Sequence, residues 1–169
     1  KQIYRSVFAG GCGVTYGHHS IWQFWSPREE KINHADRYWT EAMDRPGAVQ
    51  AGYLRWLIES RSVTDRVPDQ SIIVSGQGEK GEYMTAFKDA AGRYGMIYLP
   101  VGKEIAVDAG FIKGDRVKVW WFDPRNNKAT LIGNIKRSKS MKFTPPALGV
   151  EKDWVLIIDD ATEKFNEPG

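Results

Sequence analysis

The sequence GVTYGHHSIWQFWSP, residues 13–27, concentrates aromatic and imidazole side chains behind a short run with strand character. We predict a strand over residues 13–17. In an α/β barrel the loop after each strand builds the active-site face. Such a loop would present His18, His19, Trp22 and Gln23 to a substrate. Aromatic rings stack on sugar faces, and imidazole and amide groups bond to hydroxyls, so the pattern is typical of the rim of a carbohydrate-binding pocket.

A second interpretation of this stretch remains open at this stage. Large aromatic side chains are usually buried at least in part. Trp22, Phe24 and Trp25 would then cap a hydrophobic core and have no ligand.

Further motifs follow in order along the chain. They are SVFAGGCG (residues 6–13), TYGHHSIWQ (15–23), AMDRPGA (42–48), RVPDQ (66–70), WWFDPR (120–125) and DWVLIIDD (153–160). Together they resemble bacterial apiosidase-like glycoside hydrolases, whose C-terminal domain is described as a "putative collagen-binding domain of a collagenase". The resemblance extends from Tyr4 almost to the end of the chain.

The resemblance implies an α+β fold class. Residues 1–65 would be a mostly helical fragment of a (β/α)8 barrel, and residues 66–169 an all-β antiparallel sandwich. In the family the catalytic acid and nucleophile follow earlier barrel strands, which this chain does not contain. The chain is therefore expected to be catalytically incomplete alone, so we assign no catalytic residue. Its expected partners are a carbohydrate bound through the parent barrel and either the missing barrel segment or a second copy of itself.

Composition limits the classes of protein to consider. The chain has 169 residues, with 24 basic and 21 acidic side chains and a net charge of +3. Neither half has the basic excess of a nucleic-acid-binding domain. The one basic cluster, Lys136, Arg137, Lys139 and Lys142, is predicted to be a solvated hairpin, with a polyanion site as the alternative.

Cys12 is the only cysteine, so neither an intrachain disulfide nor a cysteine-rich metal site can form. Lys1 follows no methionine or apolar signal segment, which favours origin in a longer polypeptide. No apolar run is long enough to cross a membrane. The sequence does not define a localisation, although the resemblance implies a secreted, periplasmic or cell-surface parent.

The first 65 residues predict helices. Apolar residues at helical spacing indicate a helix over residues 3–9, ended by Gly10 and Gly11. Asn33 or Asp36 would cap a second helix carrying Tyr38, Trp39, Ala42 and Met43. Pro46 suits the first turn of a third, four-turn helix that ends near Arg61.

Beyond residue 65 the pattern changes to short alternating runs rich in β-branched and aromatic residues. Strands are predicted over residues 71–75, 83–89, 94–100, 105–108, 116–123, 129–135, 141–143 and 154–159. Hairpin turns are predicted at residues 90–92, 124–128 and 136–140. Eight strands within about 90 residues suggest a sandwich.

The predicted strand over residues 116–123 alternates between two apolar faces. Val117, Val119 and Trp121 point to one side, and Trp120 and Phe122 point to the other. Because large apolar patches are rarely left exposed, we expect one face in the sandwich core and the other against the barrel fragment.

Other chemistries find little support. Glycoside hydrolysis needs two facing carboxylates, whereas Glu29 and Glu30 belong to a charged loop. Adjacent histidines rarely share one metal ion, and no spacing matches a zinc site, a serine-hydrolase elbow or a dinucleotide fingerprint. We predict no metal and no cofactor.

Two functions from different classes therefore remain. In the first, the chain contributes one wall of a sugar site and a supporting β-sandwich to a glycoside hydrolase-like protein. In the alternative, the sandwich is a non-catalytic binding module for collagen or polysaccharide. Exposure of Trp120, Trp121 and Trp154 would favour the second function.

Overall fold

Four helices lie in the first 59 residues of the computed structural model, which describes residues 1–169. They are α1 (Gln2–Phe8), α2 (His19–Trp22), α3 (Trp39–Ala42) and α4 (Pro46–Glu59). The predicted helices over residues 3–9 and from Pro46 are confirmed. Pro46 occupies the first turn of α4, where its missing N–H would have no intrahelical partner. None of the four helices is long and apolar enough to cross a membrane.

Two predictions for this helical segment (residues 1–65) are wrong. Residues 13–17 form no strand and are exposed, because no neighbouring strand lies beside them to pair with their backbone. The helix predicted behind Asn33 or Asp36 is reduced to the single turn of α3. Asn33 adopts a left-handed backbone, and Asp36 forms ion pairs, so neither caps a helix.

Nine strands follow the helical segment. They are β1 (Arg66–Pro68), β2 (Ile73–Ser75), β3 (Thr85–Asp89), β4 (Tyr94–Leu99), β5 (Ile105–Val107), β6 (Arg116–Asp123), β7 (Lys128–Lys136), β8 (Met141–Phe143) and β9 (Trp154–Asp160). A six-stranded sheet has the order β1-β3-β4-β9-β6-β7, and a three-stranded sheet has the order β2-β5-β8. All pairings are antiparallel, as expected for a sandwich.

The predicted hairpins at residues 90–92 and 124–128 are confirmed, since they join β3 to β4 and β6 to β7. The predicted hairpin at residues 136–140 is wrong. This connection crosses from the large sheet to the small one, because β7 pairs with β6 whereas β8 pairs with β5. β1 was not predicted, since its three residues end in a proline and carry little pattern. It pairs with β3 at the sheet edge, where proline is tolerated.

Two hydrophobic cores lie on opposite faces of the large sheet. The first fills the space between the sheets and includes Val117, Val119 and Trp121. The second includes Trp120 and Phe122 together with side chains of α1 and α4, among them Phe8. The predicted alternation along β6 is therefore confirmed, and the helical segment packs on the part of the outer face that contains Trp120 and Phe122.

Polar contacts also fix the helical segment to the sheets. Arg66 Nη2 donates to the Gly11 carbonyl at 2.9 Å. Gln50 Nε2 donates to the Arg125 carbonyl at 3.4 Å, at the turn between β6 and β7. Residues on both sides of position 65 thus share one apolar core and its polar border.

Candidate functional site

The predicted site residues lie on and beside α2, within a segment that we call the aromatic loop (residues 18–39). His18 is the N-cap of α2, and its Nδ1 accepts a hydrogen bond from the Ser20 N–H at 3.2 Å. An N-cap side chain satisfies a backbone donor that would otherwise lack a partner. The imidazole of His18 therefore fixes the start of the helical turn that carries the other site residues.

The opposite nitrogen of His18 faces a charged pair. His18 Nε2 lies 3.0 Å from Arg45 Nη1 and 3.7 Å from Asp36 Oδ1, and Arg45 Nη1 donates to Asp36 Oδ2 at 2.9 Å. Ser20 N–H and Arg45 Nη1 each place a donor at one ring nitrogen, and the donor and acceptor roles at Nε2 depend on the tautomer. The carboxylate of Asp36 lies beyond hydrogen-bond distance of Nε2 and accepts from Arg45.

Asp36 is held as a carboxylate by two arginines. The hydrogen bond from Arg37, together with the charges of Arg37 and Arg45, keeps the pKa of Asp36 below its usual value. An ionised, already paired carboxylate is suited to orienting His18 and Arg45. It is a poor proton donor for general acid chemistry, which needs a raised pKa.

His19 and Trp22 lie side by side at the surface of the aromatic loop. Their rings meet edge to face at 5.1 Å, and His19 also contacts the ring of His34 at 5.5 Å. His19 Nδ1 is buried without a hydrogen-bond partner. Trp22 is 71% exposed, so one large aromatic face is free for a planar or apolar ligand surface.

The side-chain amide of Gln23 is hydrogen-bonded to the backbone of the aromatic loop. Its Nε2 donates to the Glu30 carbonyl at 3.0 Å, and its Oε1 accepts from the Ile32 N–H at 2.7 Å. Both ends of the amide are thus used by the backbone. Gln23 ties the start of the aromatic loop to its middle.

Two further pairs of aromatic rings pack against each other within the aromatic loop. Phe24 meets Trp39 at 5.6 Å, and Trp25 meets Tyr38 at 5.0 Å. The Trp39 N–H donates to the Trp25 carbonyl at 2.9 Å. Phe24 has a φ of 50° and is 61% exposed, an uncommon conformation for a bulky residue. Strained residues of this kind cluster at functional sites.

Acidic groups near the loop form no facing pair. Glu29 and Glu30 are both exposed, and Glu29 Oε1 accepts a hydrogen bond from Ser26 Oγ. No group of three or more His, Cys, Asp or Glu side chains in the structure is placed to hold a metal ion.

A groove lies between α1 and α4 and is also lined by Arg66 of β1. Its volume is about 720 Å³. The lining side chains include Val7, Val14, Leu54, Ile58 and Val63, with Arg55 and Glu59 at α4. Half of the groove's 14 lining residues are hydrophobic.

The structure brings together the four residues that the sequence predicted, His18, His19, Trp22 and Gln23, because they lie within six positions of the chain. It adds Asp36, Arg45 and His34, which sequence reasoning did not assign to the site. Arg45 and Asp36 are separated from His18 in sequence, and only the fold of the aromatic loop closes that distance. The one signal for Arg45 was its place in the motif Asp44-Arg45-Pro46.

Family models match both parts of the chain. The model described as "Apiosidase-like, catalytic domain" matches residues 1–65, and the model described as "Putative collagen-binding domain of a collagenase" matches residues 67–159. No curated protein matches the chain significantly.

Solved structures match almost the whole chain. One, a glycoside hydrolase, is 33% identical with a TM-score of 0.88, and the match covers 97% of this chain. Another, a glycoside hydrolase family 5 protein from Bacteroides vulgatus, is 31% identical with a TM-score of 0.88 and covers 98% of this chain. In both cases the match spans 36% of the other protein. The chain is therefore related to part of a glycoside hydrolase.

Proposed function

The chain belongs, through residues 67–159, to the family described as "Putative collagen-binding domain of a collagenase", and from this premise we propose that it is the C-terminal part of a glycoside hydrolase-like protein. In this proposal residues 1–65 are the last elements of a (β/α)8 catalytic barrel. Residues 66–169 are the β-sandwich domain that supports them. The chain contributes one wall of the sugar site.

The observation that carries this proposal is the exposed ring of Trp22 beside the imidazole of His19. Sugar rings present C–H faces that pack on aromatic side chains, while their hydroxyls need polar partners. A free indole face next to an imidazole supplies both. His19 and Trp22 are the side chains that we propose to contact the sugar.

His18 and Gln23 belong to the same wall with a different role. His18 caps α2 and borders Asp36 and Arg45, and Gln23 bonds to two backbone groups of the loop. Binding sites need side chains whose positions are fixed by surrounding contacts. We assign these two residues to shaping the wall and placing Trp22.

The remaining partner in this proposal is the rest of the catalytic domain. The groove between α1 and α4 has hydrophobic residues at half of its lining positions, and Trp56 of α4 is 52% exposed. Apolar surface of this kind favours burial against another element. Preceding barrel elements would fill the groove, and association with a second copy is the alternative.

The sandwich would act as a support for the barrel elements. Trp120 and Phe122 of β6 lie beneath α1 and α4, at 7% and 0% exposure. A shared core of 13 buried residues holds the helical segment in one orientation. This fixes α1 and α4 relative to the sandwich.

The alternative function is a binding module for collagen or polysaccharide. Glycan modules commonly use exposed, coplanar aromatic side chains, yet Trp120, Trp121 and Trp154 are all less than 8% exposed. A binding role for the sandwich would therefore need another surface.

Affinity measurements on the 169-residue protein test the proposal. A panel of neutral oligosaccharides is titrated by calorimetry against the wild type, Trp22→Ala and Trp56→Ala. Both tryptophans are exposed, but Trp56 lies on α4, outside the aromatic loop, so its variant is the matched control. We expect an oligosaccharide whose binding is lost in Trp22→Ala and kept in Trp56→Ala. Equal affinity in all three proteins, or binding of collagen fibrils alone, would contradict the proposal.

A further inference from the structure

Charge is distributed very unevenly along this chain. Residues 113–142 contain nine basic and two acidic side chains, whereas the rest of the chain contains 15 basic and 19 acidic ones. The net charge of +3 thus combines a segment of +7 with a remainder of −4. Strong local excess of one sign points to a partner of the opposite sign.

Three of these cations share one face of the hairpin formed by β6 and β7. Arg116 lies directly opposite Lys136, and Lys118 lies directly opposite Asn134. Directly opposed residues of two strands lie on the same side of a sheet, with Cβ atoms about 5 Å apart. We call Arg116, Lys118 and Lys136 the basic face.

No ion pair within the chain compensates the basic face. None of its three side chains lies within 4.0 Å of a carboxylate, since all ion pairs involve other cations. Asp159 is opposite Lys118 on β9 and interacts with its charge, but both of its carboxylate oxygens accept hydrogen bonds from Arg61. Like charges opposed across two strands destabilise a sheet. The Arg116 and Lys136 pair therefore has no structural benefit of its own.

Asn134 fixes one of the cations in place. Arg116 Nε donates to Asn134 Oδ1 at 2.8 Å, and Arg116 Nη2 donates to the Asn134 carbonyl. The guanidinium is thus oriented by neutral acceptors and keeps its full charge for an external group. A planar, oriented guanidinium is well suited to carboxylate and sulfate groups.

We infer that the basic face binds an anionic polysaccharide, one that carries carboxylate or sulfate groups. This site lies on the sandwich and is independent of the aromatic loop, so it does not rest on the proposed sugar site.

Two features favour a polysaccharide over other acidic partners. Single-stranded nucleic acid uses exposed aromatic rings for base stacking, whereas Trp120 on this face is 7% exposed and lies beneath Lys118, whose Nζ is 4.6 Å from the ring centre. An acidic peptide could add a strand to the open edge of β7. However, Gly133 pairs with Val119 and Leu131 pairs with Trp120, so Ile132 between them is an extra residue that forms a bulge in β7. Bulges of this kind interrupt pairing at a sheet edge.

Binding of the 169-residue protein to immobilised heparin tests the inference, with neutral dextran and single-stranded DNA as the other probes. The variant Arg116→Gln/Lys118→Gln/Lys136→Gln removes the basic face. Its matched control, Lys80→Gln/Lys152→Gln/Lys164→Gln, removes the same charge from exposed lysines elsewhere. Thermal unfolding of both variants shows that any loss of binding does not come from a loss of folding.

We expect heparin binding at about 50 mM salt that weakens steadily as salt rises, because the attraction is between exposed charges. The basic-face variant should bind at least about tenfold more weakly, and the control should stay within about twofold of the wild type. Three results would overturn the inference: no heparin binding by the wild type, equal weakening in both variants, or tighter binding of DNA than of heparin.

Discussion

Arg61 and Asp159, 98 positions apart in the sequence, form a buried bidentate ion pair. Arg61 Nε donates to Asp159 Oδ1 at 2.9 Å, and Arg61 Nη2 donates to Oδ2 at 2.8 Å. The two side chains are 0% and 2% exposed. Arg61 follows the end of α4 and also lies over the Phe165 ring, whereas Asp159 lies on the central strand β9. The pair thus joins the helical segment to the middle of the large sheet.

We predict that Arg61→Met lowers the free energy of unfolding by about 3–5 kcal/mol, because it leaves a buried carboxylate without its partner. Arg55→Met is the control, since its pair with Glu59 is exposed and should be worth no more than about 0.5 kcal/mol. Urea denaturation at pH 7 measures both. Equal effects of the two substitutions would contradict the structural role of Arg61.

The loss of unfolding free energy in Arg61→Met should depend on pH. Burial raises the pKa of Asp159 even against the opposing hydrogen bond from Arg61, so loss of Arg61 should raise it further. Because folding raises this pKa, the native state favours the protonated acid. The free energy of unfolding therefore falls as pH rises from the unfolded pKa through the native pKa. Arg61→Met should therefore lose more stability at pH 7 than at pH 4. A constant loss over that range would show that Asp159 does not remain buried in the variant.

Asp89 has a pKa shift in the opposite direction to that of Asp159, so the pH dependence of its contribution to stability is also opposite. Its carboxylate accepts hydrogen bonds from Arg93 Nε at 3.0 Å and Arg93 Nη2 at 2.7 Å, and these bonds hold its pKa below the usual value. The contribution to stability is present above the unfolded pKa of about 3.9 and is lost as pH falls through the lower native pKa. Asp89→Asn should therefore flatten the fall in unfolding free energy between pH 5 and 2, measured by urea titration. If the unfolding free energy of the variant depends on pH in this range as that of the wild type does, the stabilising role of the Asp89 carboxylate is contradicted.

The packing of the helices on the large sheet can be tested by truncating a buried side chain of that interface. Trp120→Ala should lower the unfolding free energy by about 3–5 kcal/mol, because it removes a buried ring from the core shared with α1 and α4. Trp22→Ala should stay within about 0.5 kcal/mol of the wild type, since Trp22 is exposed. Calorimetric unfolding distinguishes the two. A small effect of Trp120→Ala would mean that the helical segment does not depend on this face of the sheet.

Much of the sandwich could be predicted from sequence. β6 and β8 have the predicted bounds, because alternation along β6 and the short buried-exposed-buried pattern of β8 are local signals. The sequence does not predict β1, because three residues carry no periodicity. It predicts a hairpin after Lys136, because a basic, serine-containing link resembles a turn.

Prediction was weaker where structure depends on distant partners. The strand at residues 13–17 needs a neighbouring strand that this chain does not supply. His18, His19, Trp22 and Gln23 were found as a group since they are close in sequence. Their different environments could not be predicted, because the contacts of His18 with Arg45 and of Gln23 with Ile32 depend on how the aromatic loop folds back.

Catalysis offers a separate prediction. Glycoside hydrolysis needs two carboxylates on either side of the bond, and Asp36, the carboxylate beside His18, is already paired with Arg37 and Arg45. The 169-residue protein should not hydrolyse aryl glycosides above the rate in buffer alone. Turnover that survives both His18→Ala and His19→Ala would show that a complete carboxylate pair exists within this chain.

The central claim, that the aromatic loop forms a wall for a sugar, is tested most directly by the indole N–H signals of the protein in ¹H–¹⁵N NMR spectra. During titration with a panel of neutral oligosaccharides, we predict that the Trp22 signal shifts saturably with at least one of them while the Trp56 signal stays fixed. The Trp22→Phe and Trp56→Phe spectra assign the two signals. A Trp22 signal that no oligosaccharide moves, or shifts of equal size at both tryptophans, would contradict the account.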